Sequence, residues 1–278
     1  MAASSDPLER IASALERMAG ATAPSPPDWL ACPAYVWSGA GARAVSAIEA
    51  PPLAVLHGID RQKAVVLANL QRHAHGAAAH DMFLWGARGM GKSALLRAAI
   101  RSVQDDTPGA LALVQVAGDA LDTLPALFTA LAAMQRRFVV YLDDLGFAEG
   151  DLQGPRRLRS WLDGGVEARP ANVRLAVTSN RRAIVPRGLG EQDDPINPRD
   201  DVDDRLALAD RFGIALGFHA CDQATYLAIV GAYAARNGLE WDAADALEWS
   251  KQRGARSGRI AWHYVTELAG RTGQPIRD

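Results

Sequence analysis

The chain has 278 residues, 49% apolar and 22% charged, an ordinary globular composition that can fill one sizeable α/β domain plus a smaller one. Its net charge of −2 gives no global attraction for nucleic acid, so a nucleic-acid partner is unsupported at this level. Only Cys32 and Cys221 are cysteines, without metal-ligand spacing, and no apolar run approaches the ~20 residues of a spanning helix.

In chain order, residues 1–10 carry acids early instead of a basic-then-apolar leader, so a cytoplasmic protein without a membrane partner is expected. Leu8, Ile11, Leu15 and Met18 recur at helical spacing, which predicts a short amphipathic helix over 6–18. A Pro-rich stretch over 21–27 reads as linker, and residues 1–50 are expected to be an N-terminal helix and linker. An α/β domain is expected over 51–220. Asp60 can cap a helix over 61–73 whose Val65, Val66 and Leu70 face inward. Residues 81–85 form a short apolar strand that feeds a glycine-rich loop. Behind the loop, Leu95, Leu96, Ala99, Ile100 and Val103 mark a helix.

A strand over 110–116 and a helix over 122–135 follow, with Pro125 tolerated in the first turn. Phe138 to Leu142 is continuously apolar, as a parallel strand buried on both faces should be. A helix over 151–162 and strands over 173–178 and 214–218 complete the alternation. Alternating strands and helices predict a doubly wound parallel sheet. The segment 186–204, with its prolines, glycines and acids, reads as an exposed loop. From Asp222 the pattern is purely helical, over 222–237, 242–253 and 257–271. Residues 221–278 are therefore expected to be a small all-helical lid domain. Trp161, Trp241, Trp249 and Trp262 sit among apolar helical positions and are read as core.

The glycine-rich loop carries the first chemistry. Gly86-Ala87-Arg88-Gly89-Met90-Gly91-Lys92-Ser93 fits the pattern G-x-x-x-x-G-K-S between a strand and a helix. Glycines let successive backbone N–H groups converge on a phosphate, a cradle completed by the helix that continues through Ala94. Lys92 reaches the β- and γ-phosphates, and the Ser93 hydroxyl is a ligand for Mg²⁺. Asp143 and Asp144 end the apolar strand, 51 positions after Lys92, which brings them to the same sheet edge. Asp143 is assigned to Mg²⁺, and Asp144 to orienting the attacking water. No guanine-reading Asn-Lys-x-Asp string occurs to suggest a GTPase.

With those residues in place, the chain resembles AAA+ ATPases. Val173 to Asn180 is similar to that superfamily's strand ending in a polar residue, and Asn180 would contact the γ-phosphate or the water. Asp210-Arg211-Phe212-Gly213 resembles the arginine-finger segment. The resemblance implies that Arg211 acts in trans on a neighbouring subunit, and with it a homo-oligomer. The stretch from Arg253 to Ala261 resembles the lid motif whose arginine folds back on the phosphates. Arg259 fits it better than Arg256.

More closely, Leu84 to Ser93, Asp143 to Leu145, Glu167 to Pro170, Thr178 to Arg182, Asp210 to Gly213 and Cys221 to Val230 are similar to a bacterial family of AAA+-like P-loop ATPases, known chiefly as a domain of unknown function. The function so implied is an ATPase that binds MgATP between an α/β domain and a helical lid and moves an unknown macromolecular client. A nucleotide-controlled binding module with little turnover, such as a helicase-loader-like helper, is the alternative, because Asp144 stands where many ATPases have glutamate. A small-molecule kinase explains neither Asn180 nor Arg211.

Overall fold

The computed structural model of the chain describes residues 27–146, 153–163, 169–180 and 211–276. The helix predicted over 6–18 and the loop predicted over 186–204 lie outside the described residues, as do Glu167, Arg181, Arg182 and Asp210. In chain order the strands are β1 (Ala34–Trp37), β2 (Ala42–Val45), β3 (Met82–Gly86), β4 (Leu111–Val116), β5 (Arg137–Leu142), β6 (Val173–Ser179) and β7 (Ile214–Phe218). The helices are α1 (Asp60–Ala74), α2 (Lys92–Asp106), α3 (Leu124–Ala132), α4 (Gln153–Asp163), α5 (Gln223–Arg236), α6 (Ala243–Gln252) and α7 (Gly258–Arg271).

Among the described residues one sheet runs in the order β2-β1-β4-β5-β6-β3-β7, parallel except for the edge pair of β1 and β2. Strand residues alternate between two cores, as a period of two requires. Phe138, Val140 and Leu142 of β5 pack with α3 residues Leu124, Leu127 and Leu131 on one face. Val139 and Tyr141 pack with Val66 and Leu70 of α1 and Leu95 and Ile100 of α2 on the other. Helices therefore cover both faces, and the predicted doubly wound sheet is present. The last three helices form a separate cluster around Tyr226, Val230, Tyr264 and Val265. Among the described residues no helix is long and apolar enough to cross a membrane.

Two features depart from the sequence reading. β1 and β2 lie inside the stretch expected to be linker, so the sheet begins before residue 51. They are held from a distance of about a hundred residues. The buried guanidinium of Arg136 donates to the carbonyls of Trp29 (3.2 Å), Cys32 (2.6 Å) and Leu111 (2.9 Å), which fastens the N-terminal segment to β4. The second departure is Asp60, expected to cap α1. The capping position is Ile59, without a side-chain cap, and Asp60 instead pairs with Lys63 at 2.7 Å within the first turn.

His73 of α1 is buried, and its Nε2 lies 3.0 Å from the Phe138 carbonyl. Burial lowers its pKa from 6.5 to about 4, against the pull of that hydrogen bond. The unfolded chain thus binds a proton between these values that the folded chain refuses. Stability from this site is complete above pH 6.5 and falls as pH drops toward 4, by on the order of 3 kcal/mol in all. His73→Gln can still donate to Phe138 and does not titrate, so urea unfolding from pH 7 to 4 should decline less steeply for the variant. Parallel decline of the two proteins would remove His73 as the cause.

Candidate functional site

The carboxyl ends of β3, β5 and β6 lie at one edge of the sheet, because the chain leaves β3 over β6 and β5 to reach β4 and then returns. A cleft of about 810 Å³ opens there between the α/β layer and the start of α7. Its walls include Arg88 to Ala94, Asp143, Asp144, Thr178, Asn180 and Arg259. Eleven of the residues assigned to the site from sequence therefore line one cavity, and the positions of the others follow.

Gly86 ends β3 with φ +139°, and a Cβ there would stand 2.0 Å from the Phe218 carbonyl oxygen. No side chain fits between β3 and β7 at this point. Gly89, at φ +78°, meets the bundle: a Cβ would lie 2.9 Å from Ser257 Oγ and 3.1 Å from Arg259 Cβ. The Arg259 N–H donates to the Gly89 carbonyl at 3.4 Å. Lys92 is buried and folds back over the loop, donating to the carbonyls of Gly86 (2.6 Å) and Ala87 (2.9 Å) and to Asn180 Oδ1 (3.3 Å). Burial lowers its pKa, opposed by Asp144 and Asp143. Met90 and Ala94 are half-buried against the core beside α2.

Asp143 is the most heavily bonded carboxylate at this edge. Its Oδ1 accepts from Tyr141 (2.5 Å), Thr178 (2.7 Å) and Ser93 (2.9 Å). Burial alone would raise its pKa. The hydrogen bonds from Tyr141, Thr178 and Ser93 prevail and hold it below the usual carboxylate value. Burial, and then the Asp143 charge, push the Tyr141 phenol well above its ordinary value. The Ser93 hydroxyl and Asp143 carboxylate form a hard-oxygen pair suited to Mg²⁺. Among the described residues no group of three or more His, Cys, Asp or Glu could hold a metal ion, so such an ion would depend on further oxygens.

Asp144 has φ +51°, a left-handed conformation that aspartate tolerates. Its N–H donates to Thr178 Oγ1 at 2.8 Å, and its Oδ1 accepts from Asn180 Nδ2. Arg88 approaches its Oδ2 at 3.5 Å, both side chains being largely exposed. Thus Lys92, Asp144 and Asn180 form one chain of contacts.

The arginines divide. Arg259 lines the cleft, whereas Arg256 does not. Arg211 also stands away from it. It precedes β7, whose Ile214 pairs with Met82 at the start of β3, so it lies at the edge opposite the phosphate loop. Phe212 is buried and stacks on Phe83 at 5.4 Å, which fixes the segment.

Some residues on or behind the cleft wall carry no site role in the sequence reading. Tyr141 and Thr178 were read only as strand, although Tyr141 stands two positions before Asp143 and so shares its face of β5. Trp262, expected in the core, packs on Tyr233 at 5.1 Å and also faces the cleft, as do His57 and His219.

The fold has solved relatives. The Thermotoga maritima RuvB Holliday junction branch migration motor superposes with a TM-score of 0.51 at 14% identity, over 80% of this chain and 65% of that one. The Aeropyrum pernix Orc1 protein, solved in complex with DNA, gives 0.52 at 15% identity, over 81% and 66%. The chain thus spans just under two thirds of either relative's length. No curated protein matches it. Sheet order, loop and relatives define a P-loop fold of the AAA+ type. Within that class, residues 30–272 match the family model described as "Protein of unknown function (DUF815)", and the chain belongs to that family.

Gly86→Ala would force a methyl into the Phe218 carbonyl and is expected to cost about 3 kcal/mol in thermal or urea unfolding. Gly118→Ala, with nothing within 4 Å of the added Cβ, should stay within about 0.5 kcal/mol. Equal stability of the two variants would contradict the close approach of β3 and β7.

Proposed function

We propose that this chain is an ATPase whose site lies in the cleft between the sheet edge and the helical bundle, and that residues 221–278 act as its lid. The observation that carries the reading is the convergence of Lys92, Ser93, Asp143, Asp144 and Asn180 on one cavity wall. The loop N–H groups and the start of α2 would cradle the phosphates. Lys92 would exchange the carbonyls it now holds for phosphate oxygens, a better partner for a partly desolvated ammonium.

Ser93 and Asp143 would hold Mg²⁺, which supplies charge neutralisation at the phosphates when bound. Asp144, held by Asn180, would orient the attacking water, and Arg259 would add positive charge from the bundle side. Arg211 precedes β7 at the end of the sheet away from the phosphate loop and does not line its own cleft, so it would serve the site of a second copy. That supports a homo-oligomer in which each cleft is completed by a neighbour. Turnover would drive a shape change that acts on a macromolecular client. Two relatives are named for a Holliday junction motor and a DNA complex, and this chain's net charge of −2 adds no general pull toward DNA.

One observation favours a second reading, a nucleotide-controlled binding module with little turnover. Asp144 is one methylene shorter than glutamate, and both its oxygens are already engaged by Asn180 and Arg88. Phosphate release separates the two readings. Lys92→Ala should lose ATP binding, and Asp144→Asn should keep binding while turnover falls by at least about 100-fold. Arg211→Ala should be equally slow alone, yet regain turnover when mixed with Lys92→Ala, since one protein brings the finger and the other an intact cleft. Wild-type binding without phosphate release would favour the module, and no recovery on mixing would remove Arg211 as a trans residue.

A further inference from the structure

Asp143 is held in an unusual way. Three hydroxyls from three different elements donate to a single oxygen, Oδ1: Tyr141 from β5 at 2.5 Å, Thr178 from β6 at 2.7 Å and Ser93 from α2 at 2.9 Å. A carboxylate oxygen that accepts three hydrogen bonds has no direction left for a further partner. Tyr141 is fully buried, and Thr178 is 1% exposed, so neither donor is contributed by a mobile surface group. The Tyr141 ring is packed among Val66, Leu95 and Ile100 on the α1/α2 face of the sheet. Its hydroxyl reaches forward to the acid two positions on, because alternate residues of a strand share a face. Thr178 does a second task. Its Oγ1 accepts from the Asp144 N–H at 2.8 Å while donating to Asp143, so one hydroxyl sets both acids.

We infer that Tyr141 and Thr178 are positioning residues that saturate Oδ1 of Asp143 and leave Oδ2 as the oxygen presented to the magnesium ion of a bound nucleotide. The Ser93 hydroxyl shares Oδ1 with them here and is the one donor of the three placed on the phosphate loop, so it alone would turn to the metal. Tyr141 and Thr178 hold the carboxylate plane while that exchange takes place. Outer-shell partners of this kind are worth about 10- to 100-fold in metal affinity. The inference rests on the reading of the cleft as an MgATP site, and its test is built to fail separately from that reading.

The experiment measures binding of a fluorescent ATP analogue to the full chain, first in EDTA and then over a Mg²⁺ titration. Wild-type protein should bind weakly in EDTA and tighten as Mg²⁺ is added. Tyr141→Phe keeps the packed ring and removes only the hydroxyl. Its affinity in EDTA should match wild type, while the Mg²⁺ midpoint rises about 10-fold. Thr178→Val should raise the midpoint likewise, and Thr178→Ser, which keeps the hydroxyl, should restore it. A Tyr141→Phe midpoint equal to wild type overturns the inference, as does equal weakening with and without Mg²⁺, which would make Tyr141 a packing residue. Failure of wild-type protein to bind the analogue in either buffer would instead overturn the nucleotide reading itself.

Discussion

The site depends on a side chain that is missing. At Gly86 the backbone of β3 runs so close to the Phe218 carbonyl of β7 that not even a methyl fits. This lets β3 sit between β6 and β7 with its end flush against both, and the chain then curls into the phosphate loop without a gap. Lys92 can fold back to the Gly86 carbonyl only because the loop starts at that depth. The neighbours of β3 matter as much as its own sequence. β6 lies beside it and brings Thr178 and Asn180, and β5 lies one strand further and brings Tyr141, Asp143 and Asp144. Strand order thus brings residues 34 to 88 positions apart into contact at one site.

What was legible in the sequence was what is local. The loop from Gly86 to Ser93 announces itself because the phosphate cradle needs its glycines and lysine at fixed spacing. The acids at 143 and 144 followed from an apolar run that ends in charge. β1 and β2 were not legible, since four residues each give no period to read, and β1 is held by its pairing with β4 and by the Arg136 guanidinium on the segment that leads into it. Asp60 misled because capping chemistry and first-turn ion pairing use the same residue type, and the nearby Lys63 decides between them. Tyr141 was hidden by its own hydrophobicity. It reads as one more core residue until Thr178 and Ser93 are seen to meet it at the same oxygen.

The arginines show where sequence resemblance and geometry inform one another. Arg256 and Arg259 are three residues apart and equally basic, yet only Arg259 faces the cleft, because its own N–H is tied to the Gly89 carbonyl. Arg211 is a different case. Its immediate neighbour Phe212 is buried against Phe83, so the segment cannot swing toward the phosphate loop without breaking the core. Position, rather than residue type, separates a residue facing its own cleft from one that cannot reach it.

The electrostatics of the cleft come from backbone as well as side chains. α2, α5 and α7 all begin at its walls, with Lys92, Thr225 and Gly258 in their first turns. A helix start presents unpaired N–H groups and the positive end of its dipole. Two of these starts are capped from within, α5 by Asp222 accepting from Thr225 N–H at 2.7 Å and α7 by Ser257 accepting from Ile260 N–H at 3.2 Å. α2 differs, since Gly91 precedes it and offers no side-chain cap. Its first N–H groups therefore lack the side-chain partner that the other two helices supply to themselves. An anion in the cleft would meet the uncapped helix first, and that is the helix whose first two residues are Lys92 and Ser93.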